Sequence, residues 1–263
     1  MAPDASKIER ISTVDAIVNY IKKQIETGAV KPGDRLPSER VLQKQLHVSR
    51  FALREALAKL SALGIIRISH GRGAFVATEV DSDALGHVFS PLFANHNLKH
   101  LVDFFEARVL IEGEAAGLCA LRRSDEDVAG LRRILERSRD LMDDPVRYAE
   151  QDYLFHNKIS EMSGNAFIHK MLECINDFVK AYLLALAKDR AARERSLANH
   201  EKIFESIKGG DAENAGKIIR EHLNYTFTEI TGLDPQDRGT IRSHDVKVPD
   251  HFADTNPEEK RWR

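Results

Sequence analysis

Residues 33–57 read Gly-Asp-Arg-Leu-Pro-Ser-Glu-Arg-Val-Leu-Gln-Lys-Gln-Leu-His-Val-Ser-Arg-Phe-Ala-Leu-Arg-Glu-Ala-Leu, and this stretch decides the fold. Ser38 is a good N-cap, so a short helix should run from it to about Leu46. His47-Val48 makes a tight turn. Ser49 then caps a second helix over 50–63, with Leu53, Ala56, Leu57 and Leu60 as its buried stripe. Gly64 suits the left-handed residue that ends it. Two short helices around a tight turn form a helix-turn-helix.

The flanks complete a domain. Upstream, Val14, Ile17, Val18, Ile21 and Ile25 recur at helical spacing and predict an amphipathic helix over 13–27, with Gly28 after its last turn. Downstream, Ile65, Ile66 and Ile68 and then Phe75 and Val76 are short β-like runs. They flank Ser69-His70-Gly71-Arg72-Gly73, whose glycines suit a hairpin tip, and this adds a wing. The expected domain spans 8–78. In such a module the N-terminal residues of the second helix face base edges in the major groove. Ser49, Arg50 and Arg54 lie there, and the two arginines share a face at i and i+4. Arginine reads guanine bidentately. Arg40 can reach a phosphate or the groove floor, and His70 and Arg72 suit phosphate or minor-groove contact. Gly71 and Gly73 permit close backbone approach. The alternative is a solvated basic face on a small domain.

Charge supports a division of labour. The 263 residues carry 39 Lys+Arg against 41 Asp+Glu, a formal net charge of −2. Residues 1–80 hold thirteen basic and eight acidic residues, and the remainder holds 26 and 33. Only the first segment is suited to a polyanion. No apolar run spans a bilayer, and Met1–Arg10 lacks the apolar core of a signal peptide. Cys119 and Cys174 lie in apolar helical patterns, which favours buried thiols and a cytoplasmic setting over a disulfide framework.

Residues 79–84 are expected to be a linker, 85–232 an all-α bundle of six or seven helices, and 233–263 a polar flexible tail. The bundle helices are placed at about 101–121, 125–142, 145–162, 166–190, 194–208 and 212–231. Ser124 with Asp127 makes an approximate capping box, and Gly209-Gly210-Asp211 a helical hairpin turn. Asp152 and His156 sit at i and i+4 on one inward face. His200 lies nine residues before Gly209, and His222 eleven beyond Asp211. At about 1.5 Å per residue the two come within a turn of the same height. Three imidazoles and a carboxylate converging in a bundle make a candidate transition-metal site. The alternative is four unrelated helix-face residues among eleven histidines.

Arg108, beside Phe104, Phe105 and Glu112, should face the core. A buried arginine needs an anion, and its fork matches a carboxylate. Arg108 is therefore read as the grip for a small carboxylate effector, with Glu112 as its internal partner. A purely structural Arg108–Glu112 pair is the alternative.

The runs Gly33-x-x-Leu36-Pro37-Ser38-Glu39-Arg40, Val48-Ser49-Arg50-x-x-x-Arg54-Glu55-Ala56-Leu57, Leu63-Gly64 and Gly71-Arg72-Gly73-x-Phe75-Val76 resemble the GntR family of bacterial winged-helix regulators. Ala74 stands where the family usually has threonine, and Gln43-Lys44 where it often has alanine. Residues 100–231 resemble the FCD ligand-binding domain of the FadR subfamily, through Phe105-Glu106-Ala107-Arg108-x-x-x-Glu112, Asp152-x-x-Phe155-His156, His200-x-x-Ile203-x-x-x-Ile207-x-x-Gly210-Asp211 and Ala215 leading to His222-Leu223. The resemblance implies that Asp152, His156, His200 and His222 bind zinc or nickel, and that the ligand is not an acyl-CoA. It further implies a homodimeric regulator of a palindromic double-stranded operator, not an enzyme. Repression relieved by ligand is the commoner family behaviour, and activation its alternative. A purely structural ion and a metal-dependent hydrolase are the remaining rivals.

Overall fold

A computed structural model of the chain describes residues 11–79, 86 and 98–236. The chain divides into two compact units, 1–85 and 86–263.

In the first unit, helix α1 (Thr13–Glu26) starts where the Ser12 hydroxyl accepts from Asp15 N–H. Helices α2 (Glu39–Leu46) and α3 (Arg50–Ala62) start on Ser38 and Ser49, whose hydroxyls accept from Val41 and Ala52 N–H. These side-chain acceptors satisfy amide donors left over in a first turn. His47 takes the left-handed conformation that lets the chain reverse between α2 and α3. Strands β1 (Ile66–Ser69) and β2 (Gly73–Val76) pair antiparallel in the register Ile66↔Val76 to Ser69↔Gly73. Ile17, Ile21, Leu42, Leu53, Leu60, Ile66 and Val76 are among the side chains of its core. The wing is broader than the hairpin expected from sequence. Arg35 bridges Phe75, and Leu36 N–H donates to Ala74 C=O, so the segment before α2 lies along β2.

The second unit is all-helical among the described residues: α4 (Leu98–Arg122), α5 (Asp125–Asp140), α6 (Pro145–Met162), α7 (Ala166–Glu173), α8 (Asn176–Leu186), α9 (Arg190–Gly209) and α10 (Ala212–Thr231). Both halves of the Ser124/Asp127 capping box are present, and Pro145 opens α6. Two boundaries need correction. The single helix expected over 166–190 is two, broken at Cys174-Ile175. No Gly or Pro marks the break, and the apolar pattern runs straight through it. The polar pair Asn176-Asp177 inside that run was the available sign, since Asn and Asp favour helix starts over helix interiors. The next helix begins at Arg190, not 194, because the Asp189 carboxylate accepts from Ala191 N–H and caps it. No described helix is long and apolar enough to cross a membrane. Of the expected linker 79–84 only residue 79 lies within the described residues, and of the tail 233–263 only 233–236.

Phe105, Phe155 and Phe227 centre the core of the bundle. Helices α4 and α10 pack closely where two glycines meet. A Cβ on Gly216 would lie 2.9 Å from the Gly113 carbonyl oxygen. Backbone cannot move aside as a side chain end can, so Gly216→Ala should force the helices apart. The expected cost is about 1–3 kcal/mol of overpacking, less up to about 1 kcal/mol from better helix propensity. Thermal denaturation should show a lower melting temperature; an unchanged or raised one would mean the crossing tolerates a methyl group.

Candidate metal centre

Asp152 and His156, one turn apart on α6, are both buried, as are His200 on α9 and His222 on α10. The turn at Gly210, which is left-handed with φ 79°, folds α10 back along α9. It brings the His200 and His222 rings to 4.8 Å, and α6 places His156 5.1 Å from His200 and 5.3 Å from His222. One ligating nitrogen from each of the three rings lies within 4.8 Å of the others. Phe155 stacks on His200 at 4.3 Å and 18°, which fixes the plane of that ring.

Burial, and then the neighbouring imidazoles, push both His200 and His222 well below the ordinary histidine range. Both rings are therefore neutral near pH 7 and present lone pairs, as metal binding requires. Burial alone would raise the Glu112 carboxyl, but the Arg108 guanidinium beside it and the hydrogen bonds from His156 and Arg108 prevail and hold it at about 2. Glu112 is thus a carboxylate and can only accept. His156 Nδ1–H donates to Glu112 Oε2 at 2.6 Å, and this leaves Nε2 as the ring nitrogen free for the cluster. Arg108 Nε donates to the other oxygen, Oε1, at 2.5 Å.

The residues present fit a divalent ion. Asp152 Oδ2 accepts from the Ser196 hydroxyl at 2.6 Å. Its buried Oδ1 has no hydrogen-bond partner among the described residues and lies 3.8 Å from His156 Nε2. An unpaired buried carboxylate oxygen is costly, and a cation is the partner this position suits. A metal with bonds of about 2 Å holds its ligands roughly 3–4 Å apart, so the three rings need only a small contraction. The donor set, three imidazole nitrogens and one carboxylate, is that of a transition metal.

Arg108 is 2% exposed, and its Nη1 is buried without a hydrogen-bond partner among the described residues. Phe104, Phe105 and Tyr182 surround the guanidinium at 5.4–5.9 Å. Arg108, Asp152, His156, His222, Ser196 and Tyr182 share the lining of one cavity of about 30 Å³. That is room for an ion with one or two water-sized groups. A second cavity of about 20 Å³ lies against Arg108, Glu112 and His156, walled by Leu172, Ile175 and Val179.

Two features of the site were not read from sequence. Glu112 bonds both Arg108 and His156, so the anion grip and the imidazole cluster share one carboxylate. No spacing links positions 112 and 156. Ser196, hydrogen-bonded to Asp152, sits one turn before His200, and that i,i+4 relation was available in the sequence.

In the first unit, Arg40, Arg50, Arg54, His70 and Arg72 are all exposed. Arg50 makes only a 3.8 Å contact with Glu39, and exposed pairs of this kind hold little energy. Ser49 commits its hydroxyl to capping α3. Gly71 and Gly73 have φ of 72° and 106°, so the tip of the wing needs glycine at both.

Residues 13–76 match the gntR family of bacterial regulatory proteins, and residues 103–225 match the FCD domain. The chain is 27% identical to the Glc operon transcriptional activator of Escherichia coli, over 90% of this chain and 96% of that protein. It is 25% identical to the HTH-type transcriptional regulator LutR of Bacillus subtilis, over 79% of this chain and 96% of that one. A solved structure of a Streptococcus agalactiae GntR shares the fold with a TM-score of 0.62, at 24% identity, covering 82% of this chain and 99% of that one.

Proposed function

We propose that this chain, which belongs to the GntR family of bacterial regulatory proteins and carries an FCD domain, senses a small carboxylate at a divalent metal site in its helical unit and adjusts its hold on DNA accordingly. It is a transcriptional regulator and not an enzyme. The observation that carries the sensing reading is one cavity lined by the buried His156, His222, Asp152 and the unsatisfied Arg108. His156, His200, His222 and Asp152 would hold the ion, with zinc or nickel as the candidates. A bound divalent ion would supply a positive centre with positions open to a carboxylate. Arg108 then takes the second carboxylate oxygen or a neighbouring hydroxyl through Nη1. Glu112 keeps both Arg108 and His156 oriented. The cavity is small, which favours effectors of few heavy atoms.

The first unit reads DNA in this proposal, and the cytoplasm is its setting. Arg50 and Arg54 meet base edges, and Ser49 positions α3. Arg40, His70 and Arg72 contact the backbone or minor groove, where Gly71 and Gly73 allow close approach. One short module makes few base contacts, so a homodimer on a palindromic operator is the proposed working form. Repression relieved by the ligand is the proposed sign. The relative named as an activator favours the reverse, and in vitro transcription decides between them.

The test is an electrophoretic shift on duplex from upstream of the chain's own gene, with metal analysis and a thermal-shift panel of lactate, glycolate, pyruvate and citrate. Arg54→Ala should weaken binding by about 1–3 kcal/mol, five- to 150-fold, and relax selectivity at one base. Arg72→Ala should weaken all sequences alike and reduce the salt slope by about one. Selective binding left intact by Arg54→Ala would remove that residue from the interface.

A further inference from the structure

We infer that the edge between α9 and α10 spanned by Arg195, Glu229 and Tyr225 is the entrance by which a small ligand reaches the metal cavity, and that the Arg195–Glu229 pair is the strap that opens for its passage. The inference rests on the reading that this cavity takes up an ion and an effector.

A buried site needs a way in. Arg108, Asp152, His156 and His222 are each more than nine-tenths buried, so a ligand in solvent does not meet them directly. The same cavity continues outward along two helices. Ser196 and Asn199 on α9 and Glu229 on α10 are half-buried, and Tyr225 on α10 is 44% exposed. Among the described lining residues, Tyr225 is the exposed one. The cavity therefore meets solvent along the α9–α10 edge. The smaller cavity beside Glu112 has no such edge, since its described lining is buried or half-buried throughout.

Arg195 crosses this edge. From α9, its Nε donates to Glu229 Oε1 on α10 at 3.1 Å, and its Nη2 donates to the same oxygen. The guanidinium also stands 5.6 Å from the centre of the Tyr225 ring, one turn before Glu229 on α10. One side chain thus holds both α10 residues that border the mouth. The strap is built to open. Arg195 and Glu229 keep 42% and 18% of their side-chain surface in solvent, and pairs exposed to this degree are weak and screened by salt. Asp189 Oδ2, 3.7 Å from Nη2, offers the guanidinium a second carboxylate when it leaves Glu229. An arriving carboxylate can likewise take the place of Glu229 on the guanidinium, so the strap yields to the ligand class that Arg108 is suited to grip.

Chemical modification of the native histidines tests this without knowledge of the effector. Diethylpyrocarbonate acylates neutral imidazoles, and mass spectrometry of the metal-stripped full chain gives the rates at His156 and His222, both in the cavity lining. Arg195→Ala and Glu229→Gln should each speed both rates about two- to fivefold, the range open to an exposed ion pair. The double variant should be no faster than the faster single one, because either change removes the same pair. Added salt should speed the wild type and leave the variants unchanged. Glu229→Gln keeps the size of the side chain, so it carries the test if the alanine variant melts early. Arg139–Glu201 is an exposed pair joining α5 to α9, and neither residue lines the cavity. Arg139→Ala should therefore leave both rates at the wild-type value. Wild-type rates in Arg195→Ala and Glu229→Gln would overturn the entrance, and so would equal acceleration by Arg139→Ala. Zinc bound beforehand should shield both rings in every variant. Absence of that shielding would count against the metal-sensing reading, while the metal-free rates still decide the entrance.

Discussion

If the proposed metal site is occupied in the purified protein, His200→Ala is expected to empty it. His200 is 1% exposed, and its ring is one of three imidazoles that meet among the described residues. Asp152 Oδ2 lies 3.8 Å from its Nε2, and no other described His stands near enough to substitute. His222→Ala should behave alike. Zinc added to the wild type should raise its melting temperature by mass action, since the ion binds the folded chain; neither variant should respond. Full metal content in both variants would place the ion elsewhere. The pH dependence has a definite sign. His200 and His222 have folded pKa values lowered below the ordinary 6.5. The unfolded chain therefore takes up protons first as pH falls, near 6.5, while the folded cluster stays neutral. Stability from these rings is fully present above that value and is lost progressively below it. Metal should be retained at pH 7 and released on acidification.

Arg108→Ala should abolish the thermal shift produced by whichever carboxylate of the panel stabilises the wild type, and should itself destabilise the protein by about 3–5 kcal/mol. The second effect follows from leaving Glu112, 3% exposed, as an uncompensated buried carboxylate. Arg108→Lys keeps the charge and loses the planar fork, so it should recover part of the stability and little of the ligand response. That split separates anchoring from a merely structural pair, for which lysine would suffice and no ligand response would change. The wild-type carboxyl at Glu112 sits at about 2, below its unfolded value of about 4.3. A depressed folded value contributes stability above about 4.3 that disappears as pH falls toward 2. In Arg108→Ala that contribution should shrink or reverse, flattening the acid limb of a stability–pH curve. A ligand shift unchanged in the alanine variant would end the anchoring role.

What could be read beforehand follows a physical boundary. Helix starts are local, and Ser38, Ser49 and Ser124 each accept within their own first turn. Asp152 and His156 were legible together because four residues make one helical turn. His200 and His222 were legible because a short turn ties two helices into register. Arg35 beside Phe75 and Glu112 beside His156 were not, because each pairs segments with no fixed spacing between them. The break at Cys174-Ile175 escaped because apolar positions keep helical spacing across it with no Gly or Pro between them, and the polar pair Asn176-Asp177 was the one local sign of it.

By itself, then, the sequence determined the elements, the winged module with its exposed arginines, and four of the residues that could surround an ion. Periodicity, capping and hairpin symmetry act over a few turns and are written in neighbouring positions. Only the tertiary structure decided that Glu112 ties Arg108 to His156, that Asp152 keeps one oxygen unsatisfied, and that Arg195 reaches Glu229 across the edge of the cavity. Those are relations between surfaces brought together by burial of the Phe105, Phe155 and Phe227 core. Packing of that kind selects partners by shape and charge in space, and sequence distance carries no record of it.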